Sequence, residues 1–144
     1  MPAPKTSRRQ ARIQAVQQLY GQEMQGALPP AEGEMVASSP SEEKVSSFAR
    51  SIVTHALTHL PDIDRLLADA LQNWDLRRLG AVDRATLRMA VAEMLAHPEI
   101  PPAVTINEAI EIARELASSD SARFANGVLD RVRQEIGRTS RLKN

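Results

Sequence analysis

The clearest helical pattern lies in residues 104–132, which read VTINEAIEIARELASSDSARFANGVLDRV. Apolar side chains recur there at intervals of three and four, as at Ile106, Ala109 and Ala113, and then at intervals of four from Phe124. This spacing is typical of amphipathic helices that each bury one face. The stretch therefore predicts two helices joined by a short polar turn.

The same spacing continues outward from this stretch toward the N-terminus. Four further segments carry it, near residues 13–24, 45–56, 63–74 and 87–95. No segment shows the strict alternation of a strand, and three prolines between positions 98 and 102 require a loop. The sequence predicts an all-α fold of six long helices, with a short extra turn near 75–79 and Trp74 ending the apolar stripe of the third helix.

The length indicates one domain, because 144 residues suit a single helical unit. We expect a flexible linker at about 26–38, where Gly, Pro and Ser are frequent, and a frayed tail at about 137–144. Helix starts are predicted at the capping pattern in residues 39–42 and at the capping box formed by Thr105 and Glu108.

Composition excludes several function classes. Eighteen basic and eighteen acidic residues give a formal net charge of zero, so the chain as a whole is not basic. The absence of cysteine excludes disulfides and thiolate chemistry. No apolar run approaches the roughly 18 residues of a membrane span, and the N-terminus does not resemble a signal peptide. These features predict a soluble, cytoplasmic protein.

Catalytic signatures are absent from the sequence. His55 and His59 stand four residues apart, a spacing that can bind a metal, and a metal-dependent enzyme is one alternative hypothesis. Two histidines on a polar helix face are the favoured interpretation, because no third ligand is evident. Glu108, Glu111 and Glu115 are likewise read as a solvated helix face near a helix N-terminus.

The first helix begins with an unusual basic cluster. Arg8, Arg9 and Arg12 follow Lys5, and no acidic residue occurs before Glu23. Positive charges in the first turns of a helix oppose its dipole and repel one another. An anion such as a phosphate would compensate them. A solvated arm with incidental charge is the alternative, and the sequence physics leaves both open.

A second unusual feature is Gly127 inside the apolar stripe of the last helix. Glycine there costs about 1 kcal/mol relative to alanine. Either two helices approach closely at Gly127, or the neighbouring Phe124 and Asn126 are presented to a ligand. Phe124 itself fits both a core role and a base-stacking role.

Three segments together resemble the NusB family. Residues 104–132 resemble its C-terminal signature of V-x-I-N-E-A followed by F-[IV]-N-G-[VI]-L, and residues 77–95, RRLGAVDRATLRMAVAEML, resemble the helix before it. The opening SRRQARIQAVQQLY resembles the family's arginine-rich first helix. The resemblance covers about residues 7–136, apart from the segment at 26–47.

This resemblance implies an all-helical fold of six to seven helices in two small subdomains. It implies a transcription antitermination factor that binds boxA-type RNA together with ribosomal protein NusE and supports transcription of ribosomal RNA operons. Other antitermination factors and RNA polymerase are implied as indirect partners, and no enzymatic activity, metal or cofactor is implied. A helical protein–protein adaptor without RNA binding of its own is the alternative.

The resemblance also supplies candidate site residues. The RNA-facing candidates are Arg8, Arg9, Arg12, Tyr20, Asp120, Arg123, Phe124 and Asn126. The candidates for the NusE-facing surface are Asp83, Arg84 and Arg88, which we expect on the polar side of their helix.

Overall fold

The described residues form an all-α structure. The computed structural model describes residues 7–26 and 46–142, with side chains described through residue 138. Its elements are α1 (Arg8–Met24), α2 (Ser47–Thr58), α3 (Leu60–Leu71), a 3₁₀ turn (Leu76–Arg78), α4 (Ala81–Ala96), α5 (Pro102–Leu116) and α6 (Ser119–Leu142). The predicted fold class is confirmed. Most of the expected linker and the capping pattern at 39–42 lie outside the described residues.

Side-chain caps and prolines define several helix starts. The Ser7 hydroxyl accepts a hydrogen bond from the Gln10 amide at 3.1 Å, and the Ser46 hydroxyl accepts one from the Ala49 amide at 3.1 Å. Pro61 lies in the first turn of α3. These contacts satisfy or remove amide groups that have no partner within the helix.

The start of α5 differs from the prediction. The helix begins at Pro102, three residues before the expected cap at Thr105. Proline is favoured at the first helical position because its φ is already helical and its missing N–H is not needed there. Thr105 therefore lies within the helix, fully buried, where its hydroxyl donates to a carboxylate oxygen of Glu93 at 2.6 Å.

Helix α4 is the centre of the molecule. It packs against all five of the other described helices, α1, α2, α3, α5 and α6. Every residue from 85 to 94 is buried. The buried apolar side chains form one cluster to which all six helices contribute. Frequent alanines in this cluster allow the helices to approach closely.

Two helix ends depart from the expected pattern. Helix α3 ends at Leu71, so Trp74 lies beyond it and is 61% exposed. Gln72 follows the last helical residue with a φ of 57°, a backbone conformation that does not continue a helix. Helix α6 instead continues through Gly137 to Leu142, where we expected a frayed tail, and Arg138 pairs with Glu135 one turn earlier. None of the described helices combines the length and apolar character needed to cross a bilayer.

Candidate nucleic-acid interface

The three arginines at the start of α1 occupy three different environments. Arg12 is buried, with a side-chain exposure of 3%, against the fully buried Glu93 of α4. Its Nε and Nη2 atoms donate to the two Glu93 carboxylate oxygens at 2.6 and 2.8 Å. The Thr105 hydroxyl completes the group. Arg12 therefore holds α1, α4 and α5 together and does not fit the expected RNA contact.

Arg9 remains at the surface but is already paired. Its Nε and Nη2 atoms each donate to a carboxylate oxygen of Glu108 at 2.9 Å, and 48% of its side chain is exposed. The hydrogen bond from Arg9 and the positive charges of Arg9 and Arg12 hold the pKa of the Glu108 carboxyl below its ordinary value. An incoming phosphate would have to replace Glu108 as the partner of Arg9.

Arg8 has no ion pair with an acidic residue in the described part of the chain and is exposed. Its guanidinium lies over the Phe48 ring, 4.6 Å from the centroid. The Phe48 ring in turn contacts His97 at a centroid distance of 4.8 Å. This cation–π contact orients Arg8 while leaving its charge open to an anion.

A second group of candidates lies at the start of α6. Asp120 and Arg123 are exposed and pair with each other one turn apart. Phe124 is half-buried, since it packs against the core on one side and meets Trp74 on the other at a centroid distance of 5.9 Å. Asn126 is exposed. Phe124 thus contributes to the core and also presents part of its ring at the surface.

Gly127 belongs to the same surface. A Cβ atom built on it would meet nothing within 4 Å, so the expectation of a close helix–helix approach at this position is wrong. The other explanation, that its neighbours are presented to a ligand, stays open. Gly127 lines a cavity beside Phe124.

The expected partner-facing arginines point inward. Arg84 donates from Nε to Glu23 Oε1 at 2.8 Å and from Nη1 to the carbonyl oxygen of Leu79, at the end of the 3₁₀ turn. Arg88 is buried and donates to both Asp64 oxygens at 2.9 Å and to Glu23 at 3.0 Å. The hydrogen bond from Arg84 lowers the pKa of the Glu23 carboxyl. Neither arginine therefore fits the expected NusE contact.

Asp83 differs from these two arginines. It is partly exposed in the first turn of α4, where a negative charge suits the helix dipole. No ion pair joins it to another described residue. Asp83 is thus the member of the expected partner surface that remains available.

The two histidines on α2 lie against each other. The rings of His55 and His59 are 4.4 Å apart. Burial, and after it the neighbouring His59 and His97, lower the pKa of His55. Within the described ranges, no group of three or more acidic or histidine side chains is placed to hold a metal ion.

The structure gathers the candidates into two clusters rather than one. Arg8 and Arg9 lie at the start of α1, next to α5, and Arg123, Phe124 and Asn126 lie at the start of α6. Tyr20 is exposed farther along α1. It lies about 12 Å beyond Arg12 along the helix axis, since an α-helix rises about 1.5 Å per residue.

Sequence reasoning missed the residues that support these clusters. Glu93 stands alone among apolar neighbours in the run MAVAEML at 89–95, and that isolation was an available signal of a buried partner. Phe48 and Trp74 were assigned to apolar stripes. Periodicity alone does not distinguish a core aromatic from one at the end of a helix.

The architecture is that of a helical domain built around a buried, ion-paired central helix. Residues 9–134 match the NusB family model, and the chain belongs to the NusB family. The chain is 42% identical over 125 residues to the transcription antitermination protein NusB of Halalkalibacterium halodurans, covering 87% of this chain and 92% of that protein.

Solved structures of the family have the same fold. The structure of NusB from T. maritima is similar with a TM-score of 0.73 and 34% identity, covering 94% of each chain. A chain from the crystal structure of the antitermination factors NusB and NusE in complex with dsRNA is similar with a TM-score of 0.70 and 25% identity, covering 89% of this chain and 96% of that one.

Proposed function

We propose that this protein is a transcription antitermination factor that binds single-stranded boxA-type RNA together with ribosomal protein NusE. In this role it supports transcription of ribosomal RNA operons in the cytoplasm as a binding factor, with other antitermination factors and RNA polymerase as indirect partners. The observation that carries the proposal is family membership across residues 9–134, and the exposed Arg9, Tyr20 and Arg123 are among the residues that the resemblance assigns to RNA. The solved complex of NusB and NusE with dsRNA supports the class of partners.

The charges at the surface support a modest RNA affinity for the isolated protein. Of the three α1 arginines, Arg8 has no ion pair with a described residue and Arg9 shares its charge with Glu108, while Arg12 is buried. Few phosphate contacts give weak binding with a shallow salt dependence. NusE would add contacts and fix the path of the RNA.

The pairing of Arg9 with Glu108 favours a second candidate function. If Glu108 keeps Arg9 paired, the protein acts as a helical adaptor that binds a protein partner without contacting RNA itself. The two functions differ in whether the α1 arginines affect RNA affinity.

The double variant Arg8→Ala/Arg9→Ala tests the RNA contact. Each phosphate contact on a single strand contributes about 0.7 to the slope of log affinity against log salt, so we expect the slope to fall by about 1.4. The measurement is binding of a labelled boxA-like RNA at several salt concentrations, with NusE present. Glu108→Gln, which releases Arg9, should raise affinity by up to about fivefold, since exposed ion pairs are weak.

The matched control is Arg50→Ala/Arg65→Ala, which removes two exposed arginines from α2 and α3 and changes the net charge equally. An equal loss of slope in both double variants would attribute the effect to net charge. A slope unchanged by Arg8→Ala/Arg9→Ala would favour the adaptor.

Asp83→Lys tests the partner surface. We expect NusE affinity to fall by at least tenfold, because a like charge at a complementary interface is repulsive. Calorimetry with purified NusE measures the change. Asp83→Asn separates lost attraction from added repulsion and should weaken binding less. If NusE binds Asp83→Lys as tightly as the wild type, the start of α4 lies outside the interface.

A further inference from the structure

A cavity of about 330 Å³ lies between the end of α3 and the first turns of α6. Its walls include Trp74 and Phe124, and its rim carries Arg123 and Arg131. The volume falls within the range of small-molecule sites, roughly 300–1,000 Å³. The cavity is therefore large enough to receive a planar ring from a ligand.

The two aromatic walls are arranged to accept another ring. The Trp74 and Phe124 rings meet nearly at right angles, with an interplanar angle of 77°. Trp74 is 61% exposed, so much of its indole surface is left uncovered. Tryptophan is highly buried on average, so this exposure is unusual for the residue type.

The backbone places Trp74 there at a conformational cost. Gln72 has φ 57° and ψ −88°, close to the rare γ-turn region that residues with a side chain seldom adopt. Arg131 of α6 donates from Nη1 to the carbonyl oxygen of Ala70 at 3.0 Å, which ties α6 to the last turn of α3. This contact fixes the two walls of the cavity relative to each other.

Gly127 keeps the cavity open. It lines the cavity and faces no atom that would exclude a Cβ, so packing gives no reason for a glycine at this point of α6. A side chain here would extend into the space beside Phe124. The strained turn at Gln72 and the glycine at 127 thus both favour an accessible cavity.

The rim supplies positive charge. Among the described residues, Arg123 is 78% exposed and pairs with Asp120 alone, while Arg131 is exposed and has no ion pair. Exposed aromatic faces flanked by guanidinium groups are the combination that binds unpaired bases and their phosphates. An apolar protein side chain would not need the two cations.

We propose that this cavity binds one unpaired base of the RNA, which stacks on Trp74 while Arg123 and Arg131 contact the adjoining phosphates. The proposal rests on the proposed function and extends it to Trp74, Arg131 and Gly127. It also places Phe124 as the second wall of the base site.

Trp74 is the only tryptophan of the chain and therefore reports on its own site. The experiment titrates a boxA-like single-stranded RNA into the complex with NusE and follows tryptophan emission and the anisotropy of labelled RNA together. We expect the emission to be quenched with the same midpoint as the anisotropy change. A parallel titration of Trp74→Phe subtracts any emission from NusE.

Variants separate stacking from structural effects. Trp74→Ala should lower RNA affinity by about 5- to 150-fold, the range for one stacked base, with Trp74→Phe in between. Gly127→Ala should raise the melting temperature, since alanine is the better helix former, yet lower RNA affinity. Val104→Ala, which shortens an exposed apolar side chain on α5, is the matched control and should leave RNA affinity unchanged.

An abasic scan of the RNA locates the base. One abasic position should cost the wild type as much as Trp74→Ala does, and the same abasic RNA should bind Trp74→Ala with no further loss. RNA binding with unchanged emission and a normal Trp74→Ala affinity would overturn the base site and leave the proposed function intact. Absence of RNA binding at low salt, with and without NusE, would overturn both. Quenching by NusE alone, with no further change on RNA addition, would assign the cavity to the protein partner instead.

Discussion

Arg12→Ala is expected to lower the free energy of unfolding by about 3–5 kcal/mol, the typical cost of removing one partner from a buried ion pair. Arg12 is 3% exposed and Glu93 is fully buried, so the variant leaves an uncompensated carboxylate next to α5. The Thr105 hydroxyl still donates to that carboxylate but cannot neutralise it. Urea unfolding followed by circular dichroism measures the loss.

Two further variants make this result specific. Arg8→Ala removes a neighbouring exposed arginine and should change stability by less than about 0.5 kcal/mol. The triple variant Arg12→Met/Glu93→Met/Thr105→Val replaces the whole polar group with apolar side chains and should recover most of the loss. An Arg12→Ala protein as stable as the wild type would mean that the buried pair does not hold α1 on α4.

Arg88→Ala is expected to lower the free energy of unfolding by about 3 kcal/mol, the low end of the same range, because its partners keep some contact with water. Arg88 neutralises Asp64 of α3 and Glu23 of α1, whose side chains are 29% and 20% exposed. Without it Asp64 loses its ion-pair partner among the described residues, while Glu23 keeps its pair with Arg84. Arg88→Lys should recover only part of the loss, since an ammonium cannot bind both Asp64 oxygens in the planar geometry of a guanidinium.

The control for this prediction is Arg78→Ala, which removes an exposed arginine just before α4 and should be close to neutral. If Arg88→Ala unfolds at the same urea concentration as Arg78→Ala, the network of Glu23, Arg88 and Asp64 does not stabilise the fold. Weakened partner binding by an Arg88 variant would therefore need a stability measurement beside it, because the side chain lies inside the molecule.

Helix positions were predictable because they depend on near neighbours in the chain. The apolar intervals identify all six helices, and the motif at residues 104–132 identifies the family. The exact first residue of a helix was harder to predict, because several neighbouring residues can serve as its cap. The start of α5 differs from the prediction because the cap is Pro101, with Pro102 as the first helical residue, rather than Thr105.

The candidate site was harder to predict because charge partners come from distant parts of the sequence. Arg8, Arg9 and Arg12 are equivalent in the sequence, since all belong to one basic cluster in the first turns of a helix. Their environments differ because two of them find carboxylate partners far away in the sequence. Arg12 pairs with Glu93, 81 positions away, and Arg9 pairs with Glu108, 99 positions away. Arg84 and Arg88 were misplaced for a similar reason, because their carboxylate partners Glu23 and Asp64 lie 61 and 24 positions away in the sequence.

Local periodicity and short motifs thus sufficed for the helices, their order and the family, because hydrophobic burial by a helix repeats every three to four residues. Tertiary packing alone decided which cations remain at the surface and which neutralise a buried carboxylate. It also decided that Trp74 and Phe124 meet beside Gly127, because a single backbone turn at Gln72 and the packing of α6 on α3 bring them together.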